Sequence, residues 1–400
     1  MEPHTFLLQL LIILVAARVV GELVATLGAP SVIGELLAGI IIGPSLLAWV
    51  EPNEPIRVLA EIGVILLLFE VGLETDMGKL LNVGRKATMV ALGGFITPFL
   101  FGYGVTYFLF QQSMLVSLFV GGTLTATSIG ITVRTLTDVH RQNSPEGQIT
   151  LGAAVLDDLF GVILLAILYE FSMTGEINWI NTFKVLAYIS IFFLTAPVLA
   201  KLMSSVIGKL DKRIDNPGLI PVTIVSLVLF FAWLAHLFGA PELLGGFAAG
   251  LALSRRFFLP FGLTVKTDTA FARKIESQMK PIVQLFTPIF FVMIGLSLDL
   301  RQVDWGSWFF WGMSLTLAIV AIGSKFAGAL LIAEPFPRRI VVGMAMVPRG
   351  EVGLIFAGLG SAAGVIRGDM YTSLIMVIAY TTLLSPFWIK LYYRRFGRFT

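Results

Sequence analysis

Ala29-Pro30-Ser31-Val32-Ile33-Gly34-Glu35-Leu36-Leu37-Ala38-Gly39 reads as an apolar segment opened by proline and spaced with small residues. Its pattern returns 211 residues later in Ala240-Pro241-Glu242-Leu243-Leu244-Gly245-Gly246-Phe247-Ala248-Ala249-Gly250. Two more matches follow in the same order: Gly72-Leu73 with Asp76 against Gly295-Leu296 with Asp299, 223 residues apart, and Val120-Gly121 against Val342-Gly343, 222 apart. One such match arises by chance in a chain rich in Gly and Ala. Three in order mark an internal repeat.

The orientation of the copies depends on how many times the chain crosses a membrane. Of its 400 residues 56% are hydrophobic and 13% charged, with a mean hydropathy of +0.89; a soluble domain carries roughly 25% charged residues. Apolar runs broken by charged or Gly/Pro-rich turns predict spans near 5–27, 31–49, 56–75, 87–109, 113–136, 147–171, 182–205, 218–239, 241–254, 281–298, 306–333, 340–363 and 371–393. The ninth is short for a bilayer core about 30 Å thick. The first carries Arg18 and Glu22 and runs into Gly28-Ala29-Pro30 rather than a cleavage site, so it is expected to be retained. These thirteen spans set the matched segments seven spans apart. An odd displacement turns the second copy upside down, and inverted repeats are a mark of secondary transporters.

The basic residues support the count. Counted with the adjoining span ends, the N-terminus and even-numbered loops hold four Lys or Arg and the odd-numbered loops and C-terminal tail twenty-one, which leaves Arg18, Lys325 and Arg349 inside spans. A missed span would have mixed the two groups. The positive-inside rule then predicts an external N-terminus and a cytoplasmic C-terminus.

Several chemistries are excluded. With no cysteine there is no disulfide, thiolate metal site or sulfur nucleophile, and His4, His140 and His236 form no zinc-protease pair. A channel would need a selectivity loop repeated about a pore. An intramembrane aspartyl protease needs carboxylates that face each other, and neighbouring residues on a helix diverge by about 100°.

The remaining chemistry lies in charges at membrane depth. Gly152-Ala153-Ala154-Val155-Leu156-Asp157-Asp158-Leu159-Phe160-Gly161 puts two carboxylates in mid-span, each costing about 3 kcal/mol there unless it meets water, a cation or a partner. Lys325 lies too deep in span eleven to snorkel and requires a counter-charge, for which Asp157 and Asp158 are the candidates. A buried lysine can release its proton where an arginine cannot. Span five carries Thr123, Thr125, Thr127, Ser128 and Gly130; its repeat mate carries Pro348-Arg349-Gly350-Glu351. Both are expected to be interrupted, and the exposed ends of half-helices bind ions. Arg349 and Glu351 are read as structural or gating residues, with Pro348, Gly350 and Thr125 shaping the breaks. Arg18 and Glu22 are spaced to satisfy each other, and Glu35, Glu61, Glu70 and Glu74 are expected in or near spans, some of them solvated.

The runs GAAVLDDLFGVILLAIL, TATSIGITVRTL, SKFAGALL, MVPRGEVGLIFAGLG and PSVIGELLAGIIIGP together resemble the monovalent cation:proton antiporter-2 family over essentially the whole chain, closest to its NapA-type sodium/proton antiporters. The resemblance implies an all-α polytopic fold of about thirteen helices with inverted repeats and two crossed, interrupted helices. It implies a homodimer in which a six-helix core moves against a dimerisation domain. One membrane domain over 1–400 is expected, with repeats over 1–171 and 218–393 and a linker helix at 182–205. Helices 87–171 and 306–393 would form the core, and 5–49 and 182–254 the dimerisation helices. By motif, Asp158 corresponds to the aspartate that binds the cation or the competing proton, Asp157 to the partner of the membrane lysine, here Lys325, and Thr127 and Ser128 to hydroxyls at the crossing. Asp-Asp is the electrogenic pattern, where related potassium-efflux members carry Gln-Asp and electroneutral ones Asn-Asp. No Gly-rich strand–turn–helix follows the last span before Thr400, so the residues present give no argument for nucleotide regulation.

The expected activity is exchange of Na+, with Li+ or K+ as alternatives, for protons in a bacterial inner membrane. Neither a cofactor nor enzymatic chemistry nor a nucleic-acid partner is expected; the partners are the ions, membrane lipid and a second copy. A potassium/proton antiporter of the efflux type without its nucleotide-binding domain is the alternative.

Overall fold

The computed structural model describes residues 3–27, 30–74, 77–174, 219–254 and 269–396, with scattered positions between 180 and 203. The span expected at 182–205 therefore lies largely outside the described residues. Elsewhere the chain is helical: α1 (Pro3–Thr26), α2 (Ser31–Ile42), α3 (Glu54–Glu74), α4 (Met77–Gly104, extended by a π-helical turn over Val105–Leu109), α5 (Met114–Thr125), α6 (Ile129–Asp138), α7 (Pro145–Thr174), α8 (Leu219–Leu237), α9 (Glu242–Leu253), α10 (Thr269–Leu296), α11 (Trp308–Leu330), α12 (Phe336–Ala345), α13 (Glu351–Ala362) and α14 (Asp369–Phe396). Among the described residues eight segments are long and apolar enough to cross a membrane, and three shorter apolar helices accompany them.

One expected span is shorter as a helix. The segment predicted at 31–49 is helical only to Ile42. Gly43-Pro44 ends it, and the chain folds back so that the Leu47 amide donates to the Ile41 carbonyl at 3.0 Å and the Val50 amide to that of Ile42 at 3.0 Å. α9, whose sequence pattern matches that of α2, also has 12 residues, as short as expected for 241–254. At 1.5 Å per residue each rod is about 18 Å long, well short of the hydrocarbon core.

The chain divides into two compact units. The first comprises residues 1–52, 83–179 and 291–400, and the second residues 53–82 and 180–290. Residues 5–49, expected among the dimerisation helices, fall in the first unit with both halves of the expected core.

Within the first unit the glycines that recur in the sequence are points of backbone contact. A Cβ on Gly39 of α2 would strike the Val292 carbonyl of α10, and one on Gly295 would strike the Leu36 carbonyl. Within the second unit the glycines matched to them in sequence do the same: a Cβ on Gly250 of α9 would strike the Phe69 carbonyl of α3, and one on Gly72 the Phe247 carbonyl. The small-residue spacing thus lets helices pack backbone to backbone, as membrane helices require where apolar side chains gain nothing by leaving lipid.

Side-chain distribution is that of a protein in lipid. Leu7, Leu8, Leu11, Val15, Val19 and Leu23 line an exposed apolar face of α1. Arg18 and Glu22 pair on α1 at 2.9 Å. The polar groups are turned inward: Asp157, Asp158, Lys325, Arg349, Thr125, Thr127 and Ser128 are all buried.

Candidate functional site

The first unit's polar centre follows from the two helix breaks. α5 stops at Thr125 and α6 starts at Ile129, with Ala126 extended at φ −60°, ψ 132° and Ser128 at φ −78°, ψ 104°. α12 stops at Ala345 and α13 starts at Glu351, because Pro348 has no amide hydrogen to continue the ladder. The breaks meet: the Ser128 amide donates to the Pro348 carbonyl at 2.9 Å. The Thr127 hydroxyl donates to the Met346 carbonyl at 3.2 Å, and the Thr132 hydroxyl to that of Ala345 at 2.8 Å. Gly350 is needed at this point, since a Cβ there would lie 2.6 Å from Ser128 Oγ and 2.7 Å from its Cβ.

Each break leaves the carbonyls of a helix C-terminus without amide partners, and these ends carry partial negative charge. Two buried cations answer them. Lys325 of α11 donates from Nζ to the Thr125 carbonyl at 2.6 Å and to Asp157 Oδ2 at 3.0 Å, with both side chains of the pair fully sealed. Arg349 spreads its guanidinium over more partners. Nη2 donates to Leu124 at 2.7 Å and Ala321 at 3.3 Å, and Nη1 to Val347 at 3.1 Å and Met346 at 3.3 Å, all of them backbone carbonyls. The Thr382 hydroxyl in turn donates to the carbonyl of Arg349. Arg349 therefore ties both breaks to α11.

The structure thus brings together Thr125, Thr127, Ser128, Asp157, Lys325, Pro348, Arg349 and Gly350. Asp158, next to Asp157 in mid-α7, is 2% exposed and close enough for its charge to act on Lys325. Glu351 opens α13, and its side chain lies outside the described residues.

Two groupings were not foreseen. Glu35, expected among acidic residues some of which would be solvated, is buried on α2 and lies 3.7 Å from Arg134 of α6, which also pairs with Asp138 at 3.5 Å. Arg134 and Asp138 stand four residues apart, the only part of this grouping visible in sequence. At the start of α7, Glu146 is fully buried, accepts a hydrogen bond from the Tyr393 hydroxyl at 3.0 Å, and lies 3.8 Å from Arg141 and 3.9 Å from Arg338. Arg338 continues to Glu334 at 3.1 Å, which binds Lys86 at 2.5 Å.

Helices broken at membrane depth, their ends crossing beside buried charges, define a secondary-transporter class of membrane protein. Residues 10–395 match the sodium/hydrogen exchanger transmembrane family, and the chain belongs to that family. It is 34% identical to the Na(+)/H(+)-K(+) antiporter GerN of Bacillus cereus, over 96% of this chain and 95% of that one. It is 30% identical to the high-affinity Na(+)/H(+) antiporter NhaS3 of Synechocystis, over 96% and 89%. The structure of the sodium proton antiporter MjNhaP1 from Methanocaldococcus jannaschii at pH 8 matches with a TM-score of 0.69 at 16% identity, covering 97% of this chain and 98% of that one, which shows a common fold.

Proposed function

We propose that the chain is a secondary active transporter that exchanges Na+, with Li+ and K+ as alternatives, for protons by alternating access. The observation that carries this reading is the sealed Lys325–Asp157 pair at the meeting of the two breaks, with Asp158 buried beside it. Asp158 holds either the cation or a proton, because a buried ionised carboxylate is costly without positive charge at hand. Exit of one guest then requires entry of the other. Thr127, Ser128 and the break carbonyls supply neutral oxygens next to this place, and Arg349 and Lys325 keep the half-helix ends fixed around it. A proton moving on or off the Lys325–Asp157 pair makes the exchange electrogenic.

The membrane reading is multi-pass in a bacterial inner membrane, as a homodimer built on inverted repeats, with the N-terminus outside and the C-terminus in the cytoplasm. Two observations support it. The paired glycines 39 and 295, and 250 and 72, make equivalent contacts. Lys86, Arg141, Arg338 and Tyr393, from odd-numbered loops and the C-terminal end, gather about Glu146 and Glu334 on what is then one side.

Proteoliposomes loaded with each alkali cation, with and without an imposed potential, test the proposal. Proton flux should depend on Na+ and respond to the potential, and Asp158→Asn should abolish it. Wild-type exchange in that variant overturns the assignment. Flux with K+ alone selects the efflux-type reading, toward which the similarity to K(+) efflux antiporter 5 of Arabidopsis thaliana, 28% identical over 96% of this chain, also points.

A further inference from the structure

Half-helix α6 begins at the break with Ser128 and ends at Asp138, a rod of about 15 Å. Its first turn is pinned to the other break through Ser128 and Thr132. Its last turn is held differently, by charge. Arg134 lies between Glu35 of α2 at 3.7 Å and Asp138 at 3.5 Å, and donates from Nη2 to the Ser31 hydroxyl at 3.2 Å; Ser31 Oγ in turn donates to Asp138 Oδ2 at 3.4 Å. Glu35 is 5% exposed, and its Oε2 is buried without a hydrogen-bond partner.

We propose that Glu35 is a positioning residue for exchange: through Arg134 it latches the far end of α6 to α2, and a proton on Glu35 Oε2 releases the latch. This rests on the cation/proton reading above but concerns a carboxylate that the Asp157–Asp158 centre does not use.

The electrostatics of the cluster give the latch two states. With Glu35 ionised, the guanidinium is shared between carboxylates on two helices and draws them together. With Glu35 protonated, Arg134 keeps Asp138 on its own helix and the neutral Ser31 hydroxyl, so α2 loses the charged part of its hold and is left with the Ser31 hydrogen bonds alone. The other charges that reach the pair are few. From α1, Arg18 acts on Glu35, and Arg18 is itself paired with Glu22. From α14, which packs on both α2 and α6, Lys390 acts on Asp138. The contact of α2 with α10 at Gly39 and Gly295 is backbone against backbone. Because α6 is a short rigid rod, a shift at Arg134 is passed to Ser128 at the crossing, so proton occupancy at Glu35 alters the affinity of the exchange site without touching the transported ion.

The test is the apparent KM for Na+ as a function of pH in proteoliposomes, for wild type, Glu35→Gln, Glu35→Asp, Arg134→Gln and the Glu35→Gln/Arg134→Gln double variant. Competition at one exchange site raises KM as pH falls; the latch adds a second dependence. Glu35→Gln should retain the maximal rate but lose at least about a fivefold part of the pH-dependent change in KM, the low end of ordinary coupling between sites. Glu35→Asp, which can still take a proton, should keep both components with a displaced midpoint. Arg134→Gln should copy Glu35→Gln, and the double variant should be no different from either single one, since one interaction is being removed. A Glu35→Gln profile that superimposes on wild type overturns the proposal. So does an additive double variant or, should Glu35→Gln fail to fold, a Glu35→Asp profile with an unmoved midpoint. Absence of cation-dependent proton flux in the wild type would instead remove the exchange reading itself.

Discussion

Lys325 Nζ sits 3.0 Å from Asp157 Oδ2, and the same ammonium donates to the Thr125 carbonyl at 2.6 Å, so one buried charge serves both an anion on α7 and the broken end of α5. The pair is completely shielded from solvent. In such surroundings the interaction is strong, but so is the cost of bringing both charges out of water, and the net benefit of the intact pair is small.

Removing one member is a different matter, because it strands the other. Lys325→Met should destabilise the protein by about 3–5 kcal/mol, read as a large fall in the thermal midpoint in detergent. Asp157→Asn/Lys325→Met should recover most of that loss, and its exchange should no longer respond to an imposed potential. A double variant as unstable as Lys325→Met would show that a stranded Asp157 is not the cause of the loss, and one still electrogenic would show that the pair does not carry the second proton.

Arg349 makes a separate prediction. Its guanidinium reaches four backbone carbonyls at the two breaks and on α11, and an ammonium has three donors on a single nitrogen, without the planar fork that spans them. Arg349→Lys should leave at least one buried carbonyl without a donor, costing about 1–3 kcal/mol, and should lower the exchange rate although the charge is unchanged. Unaltered thermal stability and rate in Arg349→Lys would count against the clamp.

The legibility of the chain depends on the range of the interaction. The all-helical, apolar character and both helix breaks could be read because each is encoded locally: apolar length, and Pro348 or a hydroxyl cluster within one segment. Asp157, Asp158 and Lys325 were also legible, since a charge in an apolar run requires an explanation wherever it occurs. What could not be read was which distant backbone atoms a cation reaches. Arg349 meets Leu124 across 225 residues, and no local pattern encodes that. The Glu35 grouping was missed for a related reason. A glutamate four residues past Ser31 reads as an interfacial side chain until α6, more than ninety residues on, is packed against it. The short length of α2 was lost because residues 43–50 remain apolar while Gly43-Pro44 turns the chain back.

Gly350 tests the crossing by shape alone. A methyl group there meets Ser128 Oγ and Cβ at 2.6 and 2.7 Å, whereas one on Gly358, further along α13, meets nothing within 4 Å. Gly350→Ala must therefore force the breaks apart and should cost at least tenfold in exchange rate, about 1.4 kcal/mol in the barrier. Gly358→Ala should leave the rate unchanged and raise helix stability by about 1 kcal/mol. Equal behaviour of the two variants would mean that the breaks are not held at this distance.

Glu334 lies between α11 and α12, outside the membrane spans, and its titration gives a prediction about stability against pH. Burial pushes its carboxyl up, but the hydrogen bonds and charges of Lys86 and Arg338 outweigh that and hold it below the ordinary glutamate value. A carboxyl lower in the folded than in the unfolded state stabilises the fold above its unfolded pKa and loses that contribution as pH falls through the folded one. Because Lys86 is 38% exposed, the contribution is modest, about 1 kcal/mol or less. Thermal unfolding of wild type and Glu334→Gln should accordingly differ most near neutral pH, with wild type the more stable, and should converge as acidification proceeds below the ordinary glutamate value. A difference that grows on acidification would reverse the sign and show that burial, not the Lys86 and Arg338 contacts, governs this carboxyl.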